Sequence, residues 1–305
     1  MKLSIVDVKN GQKGSVELPK QFSEEVRPDL VAKSVVAIDS HNRQPYGSDP
    51  EAGKKSSAEL SRRRRNYRGS YGIGISRVPR KILTRRGTRM FWVGAFAPGT
   101  VGGRRAHAPK SEKIWAKKIN DKERQKAIRS AISATVNKDL VKARGHIIPD
   151  AYPFVLNDDF QMLSKTKDVV VALNQLGFGA ELERTQEKSI RAGKGKVRGR
   201  KYRRKTGILV VVSDDCPLLF AGINIPGVDV MKVSSINASV LAPGADIGRV
   251  TLFTEAALKK MDEQKLFFPK LKMFKDLIKV VKPKSVGKSG AAKSKSDPKD
   301  NSKKN

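Results

Sequence analysis

The chain has 305 residues and a formal net charge of +33, from 63 lysines and arginines against 30 aspartates and glutamates. Hydrophobic residues make up 38% of it, which allows a folded core over part of the chain only. The single cysteine excludes an internal disulfide and a multi-cysteine zinc site, and no apolar stretch approaches the roughly 20 residues that a transmembrane helix needs. Because charge of this size repels itself without a polyanion, the composition favours a cytoplasmic protein that binds nucleic acid.

The first elements predicted along the chain are a strand and a helix. Residues 2–8 alternate with a period of about two, which predicts a strand. Pro28 suits the first turn of a helix. The residues that would share one face of this helix are Leu30, Val31, Ser34, Val35 and Ile38. Residues 41–60 are rich in turn-forming side chains and lead into a segment of different character.

Between residues 61 and 110 the chain contains no aspartate or glutamate, but it has 12 arginines, two lysines and the aromatic run MFWVGAF. A solvated linker is the alternative interpretation, although exposed aromatic side chains are unusual in a linker. Arginine binds phosphate with two hydrogen bonds, glycine lets the backbone approach closely, and planar side chains stack on bases. The segment is therefore typical of one that penetrates RNA. Its predicted RNA-binding residues are Arg62, Arg63, Arg64, Arg65, Arg68, Arg77, Arg80, Arg85, Arg86, Arg89, Trp92, Arg104, Arg105, His107 and Lys110.

The clearest predicted helix follows this acid-free segment. Asn120 and Glu123 suggest a capping box at its start, apolar side chains recur at spacing four from Ile128 to Leu140, and Gly145 is expected to end it. Beyond it the pattern changes to alternating elements. Helices are predicted at 166–177, 181–191, near Ala238 and at 255–264, and strands at 207–213, 228–236 and 249–254.

Strands that are apolar on both faces and alternate with helices predict an α/β fold, with a mostly parallel sheet in a Rossmann-like three-layer arrangement. The globular domain is expected to comprise residues 1–60 and 111–268, with 61–110 inserted as an extended loop. Residues 269–305 contain lysine but no arginine. After Pro283 their composition cannot bury a core, so a mostly disordered basic tail is expected.

A second basic tract covers residues 188–205, with ten basic residues and no acid. Its glycines precede a predicted strand and their spacing differs from that of the dinucleotide-binding fingerprint, so RNA binding is the favoured interpretation. The predicted RNA-binding residues of this tract are Arg191, Lys194, Lys196, Arg198, Arg200, Lys201, Arg203 and Arg204.

Side chains suited to catalysis are few. The three histidines, His41, His107 and His146, lie in or beside loops without metal-ligand spacing. Cys216 follows two aspartates, which would raise the pKa of its thiol and so disfavour a nucleophile. The sequence therefore predicts no enzymatic activity, no cofactor and no metal site.

Four motifs occur in an order typical of one family: NRQPYGSDPEAGKKSSAE (42–59), GISRVPR (74–80), FAPGTVGGRRAHAPK (96–110) and RAGKGKVRGRKYRRKTGILVV (191–211). They resemble the universal large-subunit ribosomal protein four family, in its archaeal and eukaryotic branch, and the short insertions are archaeal-like. The resemblance covers about residues 1–268. It implies an α/β domain on the outer face of the large ribosomal subunit and a long loop that runs through the RNA to the narrow part of the peptide exit tunnel.

By the same resemblance, residues 68–80 correspond to the tip of that loop. The implied tunnel-lining residues are Gly72, Ile73, Gly74, Ile75, Ser76 and Arg77. Family members usually have a Gly-Thr-Gly-Arg run at the tip, and this chain departs from it with Gly-Ile-Gly-Ile. Residues 102–110 match the return of the loop, and 191–205 match a loop of the domain that contacts RNA.

The resemblance implies a structural protein of the cytoplasmic ribosome. Its partners would be large-subunit rRNA, neighbouring large-subunit proteins and the nascent peptide, with no membrane and no small-molecule substrate. Two alternatives belong to other classes. A free-standing RNA chaperone would share the charge but would not need an inserted arginine-rich loop. An RNA-modifying enzyme with a Rossmann-like domain would need a cofactor loop after a strand and a catalytic residue.

Overall fold

A computed structural model of the chain describes residues 1–67, 69–72, 74, 76–87 and 89–269. Residues Met1–Phe268 form one compact unit. The predicted lysine-rich tail, 269–305, lies outside the described residues apart from Pro269.

The described residues contain these strands and helices. The strands are β1 (Lys2–Val6), β2 (Gln12–Glu17), β3 (Arg80–Arg86), β4 (Arg89–Gly94), β5 (Val155–Leu156), β6 (Lys188–Ile190), β7 (Tyr202–Arg204), β8 (Leu209–Val212), β9 (Asp229–Lys232) and β10 (Thr251–Thr254). The helices are α1 (Pro28–His41), α2 (Asp121–Val136), α3 (Lys138–Ala143), α4 (Thr166–Gln175), α5 (Gly179–Gln186), α6 (Leu218–Ile223), α7 (Ala238–Leu241) and α8 (Glu255–Glu263).

A six-stranded sheet lies at the centre of the compact unit, in the order β2-β1-β5-β10-β8-β9. The strands β1, β5, β10, β8 and β9 pair with their neighbours in parallel. At the edge of the sheet, β2 pairs with β1 in the antiparallel direction. The predicted α/β fold with a mostly parallel sheet is therefore confirmed.

Helices cover both faces of this sheet. The central strands β8 and β10 are buried along their whole length, and their side chains alternate between two apolar clusters because successive residues of a strand point to opposite faces. Leu252 packs in the cluster that contains residues of α4, α5 and α6. Its neighbour Phe253 packs in the cluster that contains residues of α1, α2, α7 and α8.

The helix predicted after the acid-free segment forms, but its two ends differ from the prediction. The side chain of Asn120 makes no capping hydrogen bond, and Glu123 instead forms an ion pair with Lys33 at 2.8 Å, so the capping box was wrong. Helix α2 ends at Val136, where Asn137 starts α3 by accepting a hydrogen bond from the Asp139 amide. Gly145 follows α3 and not α2, because Asn137 interrupts the helix first.

The helix predicted at 181–191 is also partly wrong. Helix α5 ends at Gln186, and the residues after it form β6, which pairs with β7. The partner of Ser189 in this pairing is Arg203, so the strand depends on a segment well beyond the window of a helical pattern. The predicted helix at 166–177 and the strands that contain β8, β9 and β10 are confirmed.

The segment between α1 and α2 contributes no described strand to the six-stranded sheet. It leaves and returns at neighbouring points, because the Lys117 amide donates to Ser40 Oγ at 2.8 Å, at the end of α1. Within it the described secondary structure is β3 and β4. The domain boundaries at residues 60/61 and 110/111 stay predictions.

Candidate nucleic-acid interface

A β-hairpin forms the regular secondary structure described in the acid-free segment. Strands β3 and β4 pair in register from Arg80 opposite Gly94 to Arg86 opposite Arg89, with an irregularity between Ile82 and Thr84. At its base the Ala95 amide donates to Pro79 O at 2.8 Å. The hairpin gives a regular backbone structure to part of a segment that is otherwise polar and rich in glycine.

Nearly all the predicted RNA-binding side chains of this segment are exposed. Those that the structure places on the surface are Arg62, Arg63, Arg64, Arg65, Arg77, Arg85, Arg86, Arg89, Arg104, Arg105, His107 and Lys110. Arg68 lies outside the described residues. None of these exposed arginines forms an ion pair with a described residue, so their charges are available to a polyanion.

Arg80 is the exception among the described arginines of this segment. Only 5% of its surface is exposed. Its guanidinium lies 5.3 Å from the ring centroid of Trp92, which is half-buried across the hairpin, and it donates to Ser76 O. This geometry places Arg80 inside the base of the hairpin, where it holds β3 against β4.

The predicted tunnel-lining tip is described in part. Gly72 and Gly74 have φ values of +76° and +69°, which non-glycine residues rarely adopt, whereas Ile73 and Ile75 lie outside the described residues. Arg77 lies 4.5 Å from the ring centroid of Tyr71, a cation–π contact. Ser76 O accepts a hydrogen bond from the Val78 amide at 2.9 Å, which tightens the turn that follows.

The second basic tract forms a two-stranded ribbon, β6 and β7, joined by residues 191–201. Every predicted RNA-binding side chain in it is exposed. Arg191 Nε donates to Arg200 O at 3.3 Å and closes the connection. Tyr202 lies on the ribbon with the ammonium groups of Lys188 and Lys201 within 5.6 Å of its ring. The ribbon is therefore a compact, cationic projection with one exposed aromatic side chain.

A buried ionic cluster fixes the root of this ribbon. Glu181 on α5 accepts hydrogen bonds from His146 Nδ1 at 2.7 Å, the Ile147 amide at 3.0 Å and the Arg184 guanidinium at 2.6 Å. Burial alone would raise the pKa of Glu181, but these three donors offset it and hold that pKa below its ordinary value. Arg184 also donates to Thr206 O at 2.8 Å, at the end of the ribbon.

The described residues contain no cluster suited to metal binding, and Cys216 is a poor candidate for a nucleophile. No group of three or more potential ligands among them could hold a metal ion. Burial raises the pKa of the Cys216 thiol, which disfavours the reactive thiolate. None of the described helices combines the length and apolar character that crossing a bilayer requires.

Comparison with known proteins decides the family. The model of the ribosomal protein L4/L1 family matches residues 16–264. The chain belongs to this family. It is 49% identical over 269 residues to the large ribosomal subunit protein uL4 of Nanoarchaeum equitans, which is 88% of this chain and 100% of the relative. It is 41% identical to the uL4 protein of Archaeoglobus fulgidus, over 86% of this chain and 99% of the relative. These relatives confirm the archaeal-like family resemblance.

One feature of the L4/L1-family chain was missed from the sequence. Tyr46 and Trp115 stack with ring centroids 5.4 Å apart, and the Arg43 guanidinium lies 3.7 Å from the Trp115 centroid. Lys113 approaches the same ring at 4.2 Å. The signal was present as aromatic residues beside basic ones, but the two halves are about 70 positions apart in sequence, so only the fold brings them together.

Proposed function

We propose that the chain is a structural constituent of the large ribosomal subunit and binds large-subunit rRNA. The observation that supports this most directly is its 49% identity, over the whole relative, to a large ribosomal subunit protein. The charge distribution agrees, because exposed cations without carboxylate partners favour binding to a polyanion through release of its counterions.

Two surfaces supply the rRNA contacts. The first is the acid-free segment, with its exposed arginines on both sides of the β3–β4 hairpin, and the second is the β6–β7 ribbon. Arginine suits these positions because its planar guanidinium binds phosphate with paired hydrogen bonds. Arg80 and Trp92 act there chiefly by holding the hairpin, since Arg80 is buried against Trp92.

The acid-free segment, 61–110, serves as an extended loop that penetrates the RNA, while 1–60 and 111–268 form the Rossmann-like three-layer domain. The tip, residues 72–77, helps line the constriction of the peptide exit tunnel and meets the nascent peptide. The positive φ values of Gly72 and Gly74 support a tight turn there.

The function is structural and not enzymatic, with neighbouring large-subunit proteins as further partners and the cytoplasmic ribosome as the location. The names of the relatives support this assignment. The experiment below distinguishes this function from the two alternatives, a free RNA chaperone and an RNA-modifying enzyme.

The test is retention of the full chain on large subunits after a high-salt wash. A variant with Arg85, Arg86, Arg104 and Arg105 replaced by glutamine is expected to be almost entirely lost in the wash, because each lost charge-assisted contact costs about 1.5 kcal/mol or more and four such contacts together correspond to roughly a ten-thousandfold loss of affinity. The matched control replaces Lys2, Lys13, Lys33 and Lys259 by glutamine, and these lysines form ion pairs on the domain surface. A wild-type chain that washes off entirely would indicate a chaperone. A chain that binds only transiently and below one copy per subunit would indicate an enzyme.

A further inference from the structure

Two stretches of the segment between α1 and α2 run side by side with their backbones in contact. The Ser48 amide donates to Pro109 O at 3.0 Å. A Cβ atom at Gly47 would collide with the Ser111 backbone, and one at Gly53 with the backbone of Gly103 and Arg104. Residues 47–54 and 103–112 are therefore held together near both ends, and we call this pair of stretches the clasp.

The clasp borders a cavity of about 590 Å³, and its lining residues are drawn from 48–54 and 104–112. This volume lies within the range of pockets that bind small ligands, roughly 300–1,000 Å³. The backbone contacts of the clasp hold the two sides of the cavity together.

The charged side chains that line the cavity are predominantly cationic. Its charged side chains are Lys54, Arg104, Arg105 and Lys110 against Asp49 and Glu112. Asp49 is paired outside the cavity lining, with Lys55 at 3.0 Å, and accepts the Glu51 amide at 2.9 Å. The remaining excess of positive charge suits a ligand with a phosphate group.

His107 also lines the cavity, and its backbone has a φ of +51°. Non-glycine residues are uncommon in this left-handed region, but histidine, asparagine and aspartate enter it more often than the others. A planar, hydrogen-bonding imidazole among cationic side chains is the combination that recognises an unstacked base.

We propose that the clasp cavity receives one unstacked nucleotide of the RNA, with its phosphate against Arg104 and Arg105 and its base against His107. This inference rests on the proposed function, because the nucleotide belongs to the RNA that the chain binds. The clasp then fixes the loop at one nucleotide of the RNA. Arginines on open surfaces bind phosphates without regard to the RNA sequence.

The experiment is chemical probing of every RNA nucleotide in large subunits that contain the full chain or one of three variants. Arg105→Gln removes a cation from the cavity, and Lys33→Gln removes the same charge from α1, away from the cavity, where Lys33 pairs with Glu123. Ala52→Trp fills the cavity without changing charge, since Ala52 is one of the lining residues. We expect one nucleotide to become roughly tenfold more reactive in R105Q and A52W, and to keep its wild-type reactivity in K33Q.

Several results would overturn the proposal. One is that no nucleotide responds to both R105Q and A52W, and another is that K33Q produces the same change. If A52W does not enter subunits, His107→Gly replaces it, because glycine keeps the left-handed backbone and removes only the ring. If washed subunits released a bound mononucleotide and every RNA position stayed unchanged, the cavity would belong to a soluble ligand and the proposal would be wrong. Failure of the wild-type chain to enter subunits would instead contradict the proposed function.

Discussion

The carboxylate of Glu181 is fully buried and its two oxygens accept hydrogen bonds from a histidine, a backbone amide and an arginine. A buried charge of this kind is costly unless every partner is present. The cluster joins α5 to the residues that follow α3, and through Arg184 to the end of the ribbon. Glu181 therefore connects the stability of the domain to the placement of the ribbon, which is one of the two proposed RNA-binding surfaces.

Replacing Glu181 with glutamine should destabilise the chain by roughly 3–5 kcal/mol, because Arg184 loses the charge that compensates its burial and the amide offers one acceptor oxygen in place of two. The effect should depend on pH. The pKa of Glu181 in the folded chain is below its ordinary value of 4.5, so its contribution is fully present above about pH 4.5 and is lost as the pH falls through the folded value. Urea unfolding at several pH values measures both effects.

Glu187→Gln is the matched control. Glu187 pairs with Lys205 at 3.1 Å on the surface, with both side chains largely exposed, and such pairs contribute about 1 kcal/mol or less. Equal losses in the two variants, or a loss in E181Q that does not shrink in acid, would contradict the importance of the buried cluster.

Among the helices and strands, the apolar periodicity of the sequence predicted those elements that have a face buried in the core. The stretches that contain α1, α2, β8 and β10 were predicted because one or both of their faces meet the core. Strand β2 is almost entirely exposed, so its sequence shows no apolar face that would indicate a strand. Strand β5 has only two residues, which is too short for an alternating pattern. The β3–β4 hairpin was hidden in a segment whose composition indicated RNA binding and gave no sign of pairing.

The candidate interface was predictable in part. The sequence shows how many cationic side chains a segment has, but it does not show which of them are exposed in the folded chain. The exposed positions of Arg104 and Arg198 agree with free cations. The burial of Arg80 depends on its pairing across the hairpin to the strand that contains Trp92. The clasp cavity depends on backbone contact between residues more than 50 positions apart, such as Gly47 and Ser111.

The clasp should be sensitive to a single methyl group. Gly53→Ala places a Cβ atom against the Gly103 backbone, so the two stretches must separate. Faster amide hydrogen exchange is expected at residues 103–112, measured on the full chain without RNA. Gly72→Ala is the control, because Gly72 also has a positive φ but nothing within 4 Å of its Cβ position. If both variants changed exchange in the clasp equally, backbone strain and not close approach would be the cause.

Over the whole molecule, cations divide into two populations. On the domain, lysines such as Lys2, Lys33 and Lys259 pair with glutamates. In the β6–β7 ribbon, all the described cations except Lys205 lack an ion-pair partner among the described residues. The net charge of +33 is therefore concentrated on the projecting parts, and the domain is close to internally balanced at the positions named.

This division predicts a specific salt dependence of RNA binding. Replacing Arg198, Arg200 and Lys201 with glutamine should reduce the slope of log affinity against log salt by about 2 to 3, since each phosphate contact contributes about 0.7–0.9. The same replacement of Lys2, Lys33 and Lys259 should leave the slope nearly unchanged. The slope is measured by titrating the full chain with a large-subunit rRNA fragment over a range of salt concentrations. Equal slopes in the two variants would mean that the ribbon does not contact phosphates.

The proposed tunnel role predicts different tasks for the tip and for the rest of the acid-free segment. A photoreactive residue at Ser76 should cross-link to the nascent peptide in translating ribosomes, because Ser76 lies at the turn that follows Gly72 and Gly74. The same residue at Val101, which is almost fully exposed near the clasp, should link to RNA and not to the peptide. Deleting 72–76 should leave subunit assembly nearly intact, since the exposed arginines that bind phosphate remain, and should abolish the nascent-chain adduct. Cross-links from Ser76 to RNA alone, with Val101 behaving the same way, would place the tip outside the tunnel while leaving the rRNA-binding function intact.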